Sequence, residues 1–189
     1  KQPSVAVPGH QVWKGSDAWR EVDRHARDGG RRAPLVVVDT YPGVDLVELA
    51  AAIRTALPLY VVINVEDAAA KPIPEIDALI ASNLTSDRVL GVISHHDLRE
   101  FYDAGRLASI ADRVLDSNTP TVLIGWGAAL VPIRRSTLVL ADLARWEIQQ
   151  RQRRGAPNWR CDNGDEDNLR KVKRGFFVEW RVADRHKRE

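Results

Sequence analysis

The chain has 189 residues, 44% of them hydrophobic and 29% charged, with a formal net charge of +2. That length suits one α/β domain with a real core, and no apolar run is long enough to span a bilayer. The single cysteine, Cys161, excludes an internal disulfide; with no cationic-then-apolar leader, the expected compartment is the cytoplasm. The chain opens at Lys1 and contains no methionine, so a piece of a longer protein is expected.

Charge is uneven. From Arg145 onward there are 13 Lys or Arg against 8 Asp or Glu, a net of +5; the rest of the chain nets −3. A basic end can attract phosphate or an acidic surface, or can form a solvated helix face. Acidic residues are interleaved through it, which argues against a non-specific nucleic-acid surface.

In chain order, residues 1–15 hold Pro3, Pro8, Gly9 and Gly15 and read as an extended lead-in. Ser16 can cap a helix to about Asp28, with Trp19, Val22 and Ala26 as its apolar stripe. Gly29-Gly30-Arg31-Arg32 connects it to Leu35-Val-Val-Val38, a short β-branched run expected to be a buried strand. Asp39-Thr-Tyr-Pro-Gly-Val44 follows as a tight loop. Asp45, with Glu48 three residues on, is a capping-box pattern before a helix whose face is Leu46, Leu49, Ala50, Ile53 and Leu57. A strand, a Gly-containing turn and a capped helix make an anion site in many α/β proteins, because the first helical amides are unpaired.

Leu59 to Val65 is a second expected strand, with Glu66-Asp67 at its carboxyl end, where ligands bind in open α/β sheets. Pro74 suits the first turn of the next helix, which carries Ile76, Leu79 and Ile80. Arg88 to Ile93 is a third strand candidate, followed by Ser94-His95-His96 and a short helix from Asp97 to Tyr102. Gly105 to Leu115 is a helix. Thr121 to Ile124 is a fourth strand, ending in Gly125-Trp126-Gly127-Ala-Ala-Leu130, and Thr137 to Leu140 is a fifth. Asp142 is expected to cap a helix from Leu143 to Arg154; a short helix from Asp165 to Arg174 and an aromatic strand from Phe176 to Val182 close the chain. The alternation predicts a three-layer α/β/α domain with a mostly parallel sheet of about five strands and a C-terminal helix and strand extension.

The candidate phosphate-binding residues are Asp39, Thr40, Tyr41, Gly43 and Asp45 of the first loop, with Arg145, Arg151 and Arg154 across from it. A working triphosphate loop needs several glycines, a Lys and a Ser or Thr. Here there is one glycine and a carboxylate, Asp45, at the helix start. The arginines can grip phosphate oxygens or pair with Glu66, Asp67 or the acidic run Asp162 to Asp167. Glu66, Asp67 and His95 are polar strand-end candidates. His95 and His96 are adjacent and point to opposite sides of an extended segment, so no metal site is expected. Cys161 is a candidate for an activated thiol, and Trp146, Trp159 and Trp180 would suit an interface between copies, as in a homo-oligomer, if exposed.

Two resemblances follow. Strand, loop and helix, then Thr121-Val-Leu-Ile-Gly-Trp-Gly-Ala-Ala-Leu130, Leu138-Val-Leu-Ala-Asp-Leu143 and Ile148-Gln-Gln-Arg-Gln-Arg-Arg-Gly155, resemble nucleoside kinases of the uridine kinase type across residues 35–155. This implies a P-loop-kinase-like scaffold with an arginine-bearing lid helix and a degenerate Walker A loop. Val37-Val-Asp-Thr-Tyr-Pro-Gly-Val-Asp45, Ala141-Asp-Leu-Ala-Arg-Trp-Glu-Ile-Gln149, Arg153-Arg-Gly-Ala-Pro-Asn-Trp-Arg-Cys-Asp-Asn163 and Lys173-Arg-Gly-Phe-Phe-Val-Glu-Trp-Arg-Val-Ala-Asp184 are similar to the N-terminal region of long bacterial proteins of the class I mannose-6-phosphate isomerase kind. That resemblance implies that residues 156–189 lead to a cupin-type isomerase domain beyond this chain, which would hold the zinc and interconvert mannose 6-phosphate and fructose 6-phosphate. Residues 1–189 would then be a single accessory domain without a cofactor of its own, binding a sugar phosphate or serving assembly. An NTP-dependent small-molecule kinase with an unorthodox loop is the alternative.

Overall fold

The β-branched run at Leu35 becomes the middle of the molecule. In the computed structural model, which describes residues 8–28, 32–135 and 137–188, it forms β1 (Leu35–Thr40), buried along its whole length. The other strands are β2 (Val61–Asn64), β3 (Thr121–Gly125) and β4 (Thr137–Ala141). All pair in parallel, in the order β2-β3-β1-β4. Wholly buried β1 and β3 lie in the centre, which is why they read as continuous apolar runs. The register sets Asp39 between Gly125 and Leu140.

Helices cover both faces. α1 (Ser16–Asp28) and α2 (Leu46–Ala56) pack with Ala26, Ala50 and Ile53 against Val36, Val38, Val122 and Ile124. The other face, with Leu35, Val37 and Leu123, is covered by α3 (Val65–Ala69), α4 (Ile73–Ile80) and α5 (Ala104–Asp116). α6 (Arg145–Arg153) adds Ile148 to that core. A last helical run is α7 (Asn168–Arg174), a wide π turn at Gly175–Glu179 and α8 (Trp180–His186), which adds Val178, Trp180, Val182 and Ala183. The layers are α/β/α as expected.

Several boundaries differ from expectation. Among the described residues the sheet has four strands, not about five. Arg88 to Ile93 is an irregular loop that leaves Val89, Leu90 and Val92 exposed. Its backbone bonds run elsewhere: Asp87 accepts from the amides of Val89 and Leu90, and Val92 N donates to Asn83 O. Phe176 to Val182 is helical, not a strand. Val178, Trp180 and Val182 alternate, which imitates a strand, but Glu179 and Ala183 are buried too. Gly175 permits the wide turn, since a Cβ there would stand 2.8 Å from the Trp180 ring.

Asp142 does not cap α6; it accepts from Leu143 N and pairs with Lys187, and Ala144 precedes the helix without a side-chain cap. Leu59 lies exposed before β2, and Glu66 and Asp67 belong to the first turn of α3. The expected cap on α2 holds: Asp45 accepts from Val47 N at 2.9 Å and Glu48 N at 3.0 Å. The lead-in up to Val7 and Gly29 to Arg31 of the connector lie outside the described residues.

Candidate functional site

A cleft of about 570 Å³ opens at the carboxyl ends of the strands, between the turn at residues 41–45, α6 and the segment after it. Three parts build it. The turn bends at Gly43, whose φ of 94° favours glycine and where a Cβ would stand 3.1 Å from the Ile148 side chain. α6 supplies Arg151, Arg154 follows at its C-cap, and Arg151 donates to the Gly43 carbonyl at 3.2 Å. The segment 156–160 closes the far wall with Trp159 and Arg160.

That wall is held from the C-terminal helix by buried charge. Lys171, 1% exposed, donates to the carbonyls of Gln152 and Gly164, each at 2.7 Å, and more weakly to Ala156. Asn158 donates to Lys171 O and to Glu179, and Glu179 accepts from Arg174, which also pairs with Asp77 at 2.8 Å. Lys173 is buried on the carbonyls of Leu84, Thr85 and Asp87. Part of the basic C-terminal end is therefore neither a phosphate patch nor a solvated face; these cations are internal struts. A buried cation needs this much hydrogen bonding to offset lost hydration.

Of the sequence-derived candidates, Tyr41, Gly43, Asp45, Arg151, Arg154 and Glu66 meet at the cleft. The rest serve elsewhere. Asp39 is buried; its Oδ1 accepts from Gly127 N at 2.9 Å and Ala129 N at 3.3 Å, and Oδ2 meets Nε2 of His186 at 2.7 Å. Thr40 is buried beside Ala141. Arg145 faces Asp184 and the Trp180 ring, 5.5 Å from its centroid. Asp67 accepts from Asn64 and lies 3.6 Å from Arg160. His95 borders a separate cavity of about 130 Å³ with Arg185 and His186.

The electrostatics are mixed. Glu147 accepts from both Arg151 and Arg154, so each arginine already has a carboxylate partner. Asp45 occupies the first amides of α2, which the anion-loop expectation left open. Burial pushes the Glu66 carboxyl up to about 7, against the Trp126 amide that donates to Oε1 at 2.7 Å. Burial also pushes Tyr41 up to about 12, the Arg145 hydrogen bond opposes this, and Asp184, which accepts from its hydroxyl at 3.0 Å, adds to the rise.

Gly125 and Gly127 are packing positions. A Cβ on Gly125 would come 2.8 Å from Glu66 Cγ, and one on Gly127 2.8 Å from the Tyr102 ring. Burial raises the Cys161 thiol, which opposes an activated thiolate. Of the tryptophans weighed for an interface, Trp146 is 69% exposed while Trp159 and Trp180 are buried. Among the described residues, no three His, Cys, Asp or Glu side chains gather to hold a metal ion. No helix there is long and apolar enough to cross a membrane.

Gln152, Trp159 and Arg160 were not singled out as site residues from sequence. Gln152 hides in a charged helix, and the only local signal at Arg160 is a φ of 47°, visible in three dimensions alone.

Fold and cleft define an open, all-parallel α/β domain with its cavity at the carboxyl ends of the strands. The chain belongs to the family described as Domain of unknown function (DUF8485), whose model matches residues 17–189. No curated protein and no solved structure matches it.

Proposed function

We propose that this domain binds a phosphorylated small molecule in the cleft, as the cytoplasmic N-terminal accessory domain of a mannose-6-phosphate isomerase-like protein. Its zinc chemistry would reside in the cupin-type domain beyond this chain. The observation that carries the binding reading is the convergence of Arg151, Arg154 and Arg160 on a cleft at the carboxyl ends of parallel strands. Guanidinium forks match phosphate oxygens in pairs, and strand ends are where open α/β sheets receive ligands. The volume suits a sugar phosphate or similar small ligand.

The neighbouring carboxylates narrow the ligand. Asp45, Glu48 and Glu147 would repel the several charges of a triphosphate, and Asp45 already caps the helix that a phosphate loop would use. One phosphate can take the arginines from Glu147, and the carboxylates can accept from hydroxyls.

Calorimetric titration with mannose 6-phosphate and, separately, magnesium-ATP tests this. Saturable binding of the sugar phosphate, lost in Arg151→Ala/Arg154→Ala, is the expected result. Unchanged affinity in the double variant removes the arginines from the site. Binding of magnesium-ATP with turnover on a sugar or nucleoside acceptor would favour the kinase alternative, which the strand, turn and capped helix at residues 35–56 support. A stable oligomer that binds neither would favour an assembly role, for which exposed Trp146 is the natural contact.

A further inference from the structure

β4 closes one side of the sheet, and no described residue bonds to its outer edge. One hydrogen bond fixes which backbone groups face that edge: Tyr41 N donates to Ala141 O at 2.9 Å. Backbone groups alternate sides along a strand. Those of Thr137, Val139 and Ala141 therefore turn inward to β1, and those of Leu138 and Leu140 turn outward. Natural proteins blunt open edges with lysine, proline, inward charge or a bulge. Thr137-Leu-Val-Leu-Ala141 carries no charge and no proline, and its register with β1 runs without a bulge.

The side chains of the strand divide the same way. Val139 and Ala141 pack with the core beneath α1 and α2. Leu138 and Leu140 stand on the opposite face, beside Val37 and Asp39 in the register, and stay 47% and 45% exposed. On the α1 side, His10 and Trp13 leave a hollow of about 730 Å³ against Thr137, Leu138 and Val139, so there is room along the edge. The ends of the strand carry opposite charge: Arg134-Arg135 precede it, and Asp142, half-exposed and also paired with Lys187, follows it.

We propose that β4 pairs antiparallel with β4 of a second copy about a two-fold axis at Val139, joining the two four-stranded sheets into one. Leu138 of one copy then stands opposite Leu140 of the other, and each donates to and accepts from its opposite through the groups that already face outward. The leucines of both copies fall on one face and form a single apolar strip. The antiparallel sense sets the arginine end of each strand beside Asp142 of the other, whereas a parallel pair would set like charges together. The opposite edge of the sheet, β2, fits this less well: it has four residues, ends at Asn64 and passes directly into α3. The edge is remote from the strand-end cleft in its chemistry, and the inference holds whether or not the cleft takes a phosphorylated ligand. An edge pair this short buries less than the roughly 1,200 Å² of a standard interface, so the expected dimer is a micromolar one.

Sedimentation equilibrium of the chain, from micromolar to near-millimolar concentration, tests this. The expected result is a monomer–dimer equilibrium that Leu140→Pro weakens about tenfold or more. Proline there removes an amide that bonds to nothing within the chain, so the fold should survive and thermal unfolding checks that it does. If that variant does not fold, Leu138→Lys/Leu140→Lys, which leaves the backbone unchanged, serves instead. Arg135→Glu and Asp142→Lys should each weaken self-association, and an equimolar mixture of the two variants should restore a dimer. A monomer at every concentration overturns the proposal. So does a dimer that persists at wild-type strength in Leu140→Pro, or one lost in Val62→Pro instead, which would place the contact at β2. A mixture of the charge variants that associates no better than either alone overturns the antiparallel pairing.

Discussion

Nε2 of His186 lies 2.7 Å from Oδ2 of Asp39, joining the last helix to the end of the central strand across nearly the whole sequence. The other carboxylate oxygen of Asp39 accepts from Gly127 and Ala129, so one side chain ties together β1, the turn after β3 and α8. Asp184, Arg185 and Lys187 add contacts to Tyr41, to the carbonyls of Ser94 and His96, and to Asp142. The C-terminal helix is thereby fastened over the strand ends, and the cleft lies beside this fastening.

Asp39→Ala leaves the amides of Gly127 and Ala129 buried without an acceptor. Hydrogen bonds to a charged group contribute about 1.5–3 kcal/mol each, and the expected net loss is about 3 kcal/mol. Urea denaturation should show a lower midpoint with an unchanged slope. A loss well under 1 kcal/mol would mean that water replaces the carboxylate.

Lys171→Met removes the ammonium that gathers the carbonyls of Gln152, Ala156 and Gly164. The expected cost is about 3 kcal/mol, concentrated in the segment that forms the cleft wall. Native-state hydrogen exchange should show the amides of residues 156–164 losing protection more than those of β1. Uniform loss across both regions would contradict a local strut.

Gly127→Ala puts a Cβ 2.8 Å from the Tyr102 ring at a backbone φ of 92°. Overpacking together with a left-handed backbone should cost about 2–3 kcal/mol, read by thermal unfolding. Wild-type stability in this variant would mean that the turn after β3 moves freely.

Glu66 makes the protein less stable as pH rises. Its folded pKa is raised by burial to about 7 from the ordinary 4.5 of a free glutamate, so the folded state binds its proton more tightly than the unfolded chain does. The contribution is fully present below about pH 4.5 and is lost as pH climbs through about 7, amounting to about 3 kcal/mol. Glu66→Gln should flatten the stability profile over that window. An unchanged profile would place its cause in other groups.

Arg145→Ala should leave the calorimetric affinity for mannose 6-phosphate unchanged, because Arg145 does not line the cleft and reaches it only through a long 3.5 Å hydrogen bond to the Tyr41 hydroxyl, its closer partners being Asp184 and Trp180. Stability should fall by about 1 kcal/mol through the lost ion pair and cation–π contact. A large loss of affinity would show that the C-terminal helix and the cleft move together.

The elements legible in sequence were those whose cause is local. Leu35 to Val38 and Thr121 to Ile124 announce buried strands because they are covered on both faces. Asp45 announces the start of α2 because its side chain reaches amides two and three residues on. The meeting of Tyr41, Gly43, Arg151 and Arg154 at one cleft followed from placing the loop and the arginine helix at the same sheet end. Arg88 to Ile93 and Phe176 to Val182 have apolar patterns as strong as a strand, and nothing within them says that no sheet edge receives them.

What the amino-acid order determined by itself was the alternation of strand and helix and the α/β class, because hydrophobic periodicity and capping act over a few residues. Tertiary structure decided the chemistry of the cleft. Whether Lys171 is a solvated charge or a buried strut, and whether Glu66 sits in water or against Trp126, depends on which distant backbone groups come within 3 Å. Dielectric surroundings and hydrogen-bond partners are set by packing between segments far apart in the chain, and local sequence carries no record of them.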